Sequence, residues 1–170
     1  TEFGAPGHWE VGKTRWDAPI EMTSTEKAVM YRKAYEGAVS RASGVCLGSY
    51  TFLWGHKQEA TSSWYGILLP DGAHLGAMDV MSEIWTGNPR KNLVPRILEL
   101  KTPQADGLRP GQMINASLQA SDPENKPLVV KWVLSGEAVE RLTAGQDEAK
   151  PPLYPDAVVH SSNESVTLKL

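Results

Sequence analysis

The sequence predicts an α/β segment followed by an all-β segment. Three observations carry that expectation. Two stretches place apolar residues three or four apart, and one uncharged run is apolar on both faces. After residue 92 the pattern switches to period-two alternation between turn clusters. The boundary is accordingly placed within 88–95, giving domains at 1–92 and 93–170.

Each element follows from its residues. Thr23 and Glu26 have capping-box spacing. Beyond them Ala28, Tyr31, Ala34, Tyr35, Ala38 and Ala42 form one stripe, which predicts a helix over 24–42 stopping at Gly44. Residues 45–54 carry almost no charge and read as a strand covered on both sides, as parallel strands are. Residues 55–63 are polar and read as a loop with His56, Lys57, Gln58 and Glu59. Residues 64–69 read as a short extended piece, closed by the turn of Pro70, Asp71 and Gly72. Leu75, Met78, Met81, Ile84 and Trp85 predict a second helix, ended by Gly87 and Pro89. In 93–170 the alternating runs 96–101, 112–121, 128–135 and 166–170 argue an antiparallel β-sandwich. Trp132 falls where immunoglobulin-like sandwiches place a core indole. That segment holds fewer strands than such a sandwich needs, and 1–92 too few elements to cover a parallel sheet. The expectation is a piece of a longer chain, with both the α/β part and the sandwich incomplete.

Composition narrows the function classes. Apolar residues make up 41% of the 170, enough for a sizeable core. A net charge of −3 without a basic run gives no footprint for nucleic acid. Apolar stretches of a few residues fall far short of a membrane span. A single cysteine, Cys46, rules out an internal disulfide and a cysteine-rich zinc site. Six tryptophans are the unusual entry, and four of them fall in or beside loops or strand ends. No nucleophile-elbow, dinucleotide or phosphate-loop motif occurs, no histidine spacing suits zinc, and no cofactor is expected. The turn at Asp122, Glu124 and Asn125 resembles that of cadherin-like modules, some of which bind calcium; an ordinary turn is the preferred reading.

The opening TEFGAPGHWE resembles the seventh-strand terminus of retaining glycoside hydrolases of family 2 and its relatives, where Glu, an aromatic or aliphatic residue and Gly recur. The stretch CLGSYTFLWGHKQEATSSWYGILLPDG at 46–72 resembles bacterial proteins in which such a barrel runs into an immunoglobulin- or cadherin-like module. The resemblance implies that 1–92 forms the last βα units of a TIM-type barrel, with Glu2 and Trp54 at neighbouring strand ends. It implies a carbohydrate substrate, a retaining two-carboxylate mechanism and Glu2 as nucleophile. In that family the acid/base partner sits near the end of the fourth barrel strand, usually as Asn-Glu; no such barrel segment is expected in 1–92, so this piece alone is expected to be inactive. An export to periplasm or medium is expected on the same ground.

Other candidates carry two readings each. Trp54 is a sugar platform or a core residue, and Trp9, Trp16 and Trp64 are looser candidates for outer sugar positions. His8 lines the cleft or is structural. Glu59 binds a sugar hydroxyl or belongs to a solvated loop. Glu10, Asp17 and Glu21 read as surface carboxylates. The competing function class is a non-catalytic carbohydrate-binding or adhesion protein in which the sandwich is the working unit.

Overall fold

The structure is a computed structural model that describes residues 2–42, 44–102, 107–138, 146 and 148–170. The chain divides into two compact units: Thr1–Val94 with Glu137–Lys150, and Pro95–Gly136 with Pro151–Leu170.

The first unit opens with β1 (Glu2–Gly4), which pairs in parallel with β2 (Tyr50–Phe52) in the register Glu2↔Tyr50 and Gly4↔Phe52. Helix α1 (Ser24–Ala34) connects them. Its start is fixed chemically, because Thr23 Oγ1 accepts from the Glu26 N–H while Glu26 Oε2 accepts from the Thr23 N–H at 2.7 Å. Tyr31 is buried and donates its hydroxyl to the Phe52 carbonyl at 2.6 Å, so α1 is bolted to β2. The Phe3 ring meets the Tyr31 ring edge-on at 6.0 Å. Helix α2 (Gly76–Thr86) adds Ala77 and Met81, and together with Ile67 these residues complete one core. Strands β3 (His56–Glu59) and β4 (Thr61–Gly66) form an antiparallel hairpin. Ala60, Trp64 and Tyr65 make a second core against it. At Gly66, which ends β4 opposite His56, φ is +100° and a Cβ would collide with the Gly55 carbonyl, so only glycine fits there.

The expectation of terminal βα units from a TIM-type barrel is overturned. The described residues hold two α-helices of eleven residues each. Set beside them are eight strands in three small sheets, so the chain is mostly β with little helix. The physical reasons are local. Beyond Tyr35, which packs on the core, the distal half of the predicted first helix carries Gly37 and only Ala38, Val39 and Ala42 as apolar residues. It leaves α geometry at Tyr35 for a π turn (Tyr35–Val39) and a 3₁₀ turn (Ser40–Ala42), neither with a buried residue. In 45–54 only Tyr50–Phe52 is strand, and Val45 and Leu47 are exposed. The run is apolar without being covered. Residues 55–63, read as a loop, contain β3 and the start of β4 instead.

The second unit is one antiparallel sheet in the order β5 (Arg96–Lys101), β6 (Met113–Ser121), β8 (Ser165–Lys169), β7 (Val158–Ser161). Ala116, Val166 and Leu168 form its core, with Ile114, Trp132, Leu134 and Val158 packed on them. The predicted strand 128–135 forms no ladder among the described residues. Asn163 takes up its backbone instead, accepting from the Val130 N–H at 3.0 Å and donating to the Leu128 carbonyl at 2.8 Å. The indole N–H of Trp132 donates to the Ser162 carbonyl at 2.8 Å. The sequence pattern of a second sandwich layer is thus realised as an extended segment.

Candidate functional site

A cleft of about 580 Å³ opens in the first unit beside the start of β1. Its polar lining comes from Glu2, His8, Glu10, Lys57, Glu59 and Tyr65, and Trp9 stands in its wall.

The segment after β1 builds one side. The Gly7 N–H donates to Glu10 Oε2 at 2.6 Å and the Glu10 N–H donates to the Gly7 carbonyl at 2.8 Å, which closes a tight turn. Within that turn Trp9 projects outward and is 67% exposed. A Cβ at position 7 would lie 2.5 Å from the Trp9 ring, so glycine lets the indole fold over the turn. The His8 ring lies between two indoles, edge-on to Trp9 at 4.9 Å and to Trp64 at 6.1 Å.

The hairpin builds the other side. The hairpin register shifts between Lys57 and Glu59, yet both side chains line the cleft, and Tyr65 lies across from Lys57 in the register. The Lys57 ammonium bonds the Glu59 carboxylate. His8 Nε2 is 3.5 Å from the other Glu59 oxygen. Burial pushes the Tyr65 hydroxyl up to about 12. The Glu59 carboxylate adds to this, the His8 backbone hydrogen bond opposes it, and Glu10 contributes least. Tyr65 is therefore a neutral hydroxyl, able to donate and accept, at any physiological pH.

The structure brings Glu2, His8, Trp9 and Glu59 to this one cleft. Trp54 is not among its lining residues; it is 67% exposed and lies tilted against Trp85 at 6.4 Å. Trp64 is a core residue, 2% exposed, whose indole N–H donates to the Pro6 carbonyl at 3.0 Å. Glu10 is exposed at the surface and lines the cleft, whereas Glu21 is half-buried in a network with Lys27, Thr61 and Ser63. Sequence reasoning passed over Tyr65, and gave Lys57 no role in the cleft. The i, i+2 spacing of Lys57 and Glu59 would have pointed to a shared face, had 56–59 been read as a strand. Among the described residues no group of three His, Cys, Asp or Glu side chains is arranged to hold a metal ion. No described helix is long and apolar enough to cross a membrane.

No known protein family's sequence profile matches the chain, and no curated protein matches it.

Proposed function

We propose that the Glu2 cleft binds a β-linked glycan, and that Glu2 serves as the carboxylate nucleophile of a retaining glycoside hydrolase exported from the cell. The observation that carries this reading is the composition of the cleft. An exposed carboxylate at a strand terminus faces the same space as an exposed indole, a neutral phenol and a carboxylate already oriented by the Lys57 ammonium and the His8 ring. Sugar rings present apolar C–H faces and hydroxyl edges. Trp9 suits the first, and Glu59, Lys57, His8 and Tyr65 suit the second.

Retention needs two carboxyl groups about 5–5.5 Å apart, one attacking the anomeric carbon and one protonating the leaving oxygen. Glu10 is bonded to the turn that it closes, and Glu59 to Lys57 and His8. On this reading both are binding groups, and the acid/base comes from outside the described residues. That same observation favours a second reading, a non-catalytic glycan-binding protein.

Glu2→Gln in the intact protein distinguishes them. The enzyme reading expects turnover of β-glycosides to fall by several orders of magnitude while calorimetric glycan binding persists. Unchanged turnover removes Glu2 as nucleophile. Binding without turnover by the unmodified intact protein selects the second reading.

A further inference from the structure

Behind the cleft lies a buried assembly that the glycan reading does not use. Lys27, on α1, is 6% exposed. Its ammonium bonds the Glu21 carboxylate, donates to the Ser63 carbonyl at 2.7 Å, and sits 5.8 Å from the centre of the Trp64 ring. Glu21 in turn accepts from Thr61 Oγ1 at 2.6 Å and Ser63 Oγ at 2.9 Å. Two residues of β4 are thereby clamped to α1 immediately before Trp64. Burial pulls the Lys27 ammonium below the usual lysine range, and Glu21 opposes that shift. From Trp64 the contacts run straight to the cleft, through the indole N–H to the Pro6 carbonyl and through the ring face to the His8 edge.

We infer that Trp64 is a positioning residue, held by the Lys27–Glu21 pair, that fixes the 6–10 turn so that His8 meets Glu59 inside the cleft. Its ring supplies a wall for the imidazole, and its N–H pins the residue one before Gly7. Lys27 and Glu21 keep the indole from rotating by fixing the strand on which it rides. The inference concerns the same cleft as the glycan reading and rests on that reading only for its consequence for substrate. Its geometric content stands or falls separately.

The test reads through-space NMR contacts between the His8 ring and the Glu59 side chain in the 170-residue chain. Trp64→Phe keeps a ring and deletes the N–H. It is expected to abolish the His8–Glu59 contact while leaving the Lys57–Tyr65 pairing of the hairpin in place. Lys27→Met is expected to weaken the same contact. Trp54→Phe, at an exposed indole outside the cleft, is expected to change neither. A fall in thermal stability with the His8–Glu59 contact unchanged assigns Trp64 a purely structural role and overturns the inference. Should Trp64→Phe fail to fold, Lys27→Met decides on the same contact, and its persistence overturns the inference. None of these readouts depends on glycan turnover, so failure of the enzyme reading leaves them interpretable.

Discussion

Ala60 sits at φ +59°, in the left-handed region that a residue with a Cβ enters at a cost of about 1–2 kcal/mol. Its N–H is buried and donates to Glu148 Oε2 at 2.7 Å, and the Glu148 N–H donates to the Gln58 carbonyl at 2.9 Å. A carboxylate distant in sequence therefore holds the bend between β3 and β4, and with it the face carrying Lys57 and Glu59. Glu148→Ala leaves a buried donor unsatisfied and is expected to destabilise the first unit by about 1–3 kcal/mol in urea unfolding. Glu148→Gln keeps an acceptor and is expected to lose less. Ala60→Gly relieves the backbone and is expected to gain up to about 1 kcal/mol, reduced by the freer unfolded chain. At Gly7, replacement by Ala drives a Cβ into the Trp9 indole. Because Trp9 is exposed, the ring swings away with little loss of stability; if the cleft binds glycan as proposed, glycan affinity is expected to fall while the melting temperature holds.

At the scale of the elements, α1 and β3 differ in how far the sequence announces them. Helix α1 starts where the Thr23–Glu26 spacing says it does, since a capping box is a local reaction between four residues. Thr23→Ala is expected to cost about 1 kcal/mol in thermal or urea denaturation. Its end was not legible: the stripe has the right period, but beyond Tyr35 it offers only Ala38 and Ala42, too little area to hold a helix against a core. Strand β3 was invisible because His56, Lys57, Gln58 and Glu59 contain no apolar residue, and the buried member is Gln58. Its pairing is decided by β4, whose Trp64 and Tyr65 bring the burial. The same reason governs the cleft. Glu2, His8, Trp9 and Glu59 were legible as chemistry, whereas Glu10, Lys57 and Tyr65 join them only through a turn and a hairpin register. Trp54 and Trp64 show that an indole near a strand end carries no label for cleft, surface or core.

For the whole molecule, stability should respond to alkali. Burial pushes Tyr31 up to about 12, partly offset by the Ala5 backbone, and Tyr65 also reaches about 12. A tyrosine titrates near 10 in the unfolded chain. Between about pH 10 and 12 the folded state thus binds more protons, and the stability present below pH 10 is lost as pH rises through that window. Lys27 acts in the opposite sense: its folded value lies below 10.5, so its contribution grows with pH up to the unfolded value. With two tyrosines against one lysine, the urea midpoint is expected to fall between about pH 10 and 12. Tyr31→Phe is expected to flatten that fall while lowering the midpoint at neutral pH, because the bond to the Phe52 carbonyl is lost.

The Ala60–Glu148 bond also has a kinetic meaning. It joins positions 88 residues apart, and the chain between them builds most of the other unit before it returns. Closing so long a loop adds only about 0.6 kcal/mol of entropy for each doubling of length, so the folded state tolerates it. Folding speed is more sensitive, since non-local contacts form only after the intervening chain has been ordered. A single backbone cut in 95–136 would turn this closure into a meeting of two molecules and remove the effective concentration that tethering supplies. The bend that presents Lys57 and Glu59 would then depend on protein concentration, which dilution of a nicked sample would expose.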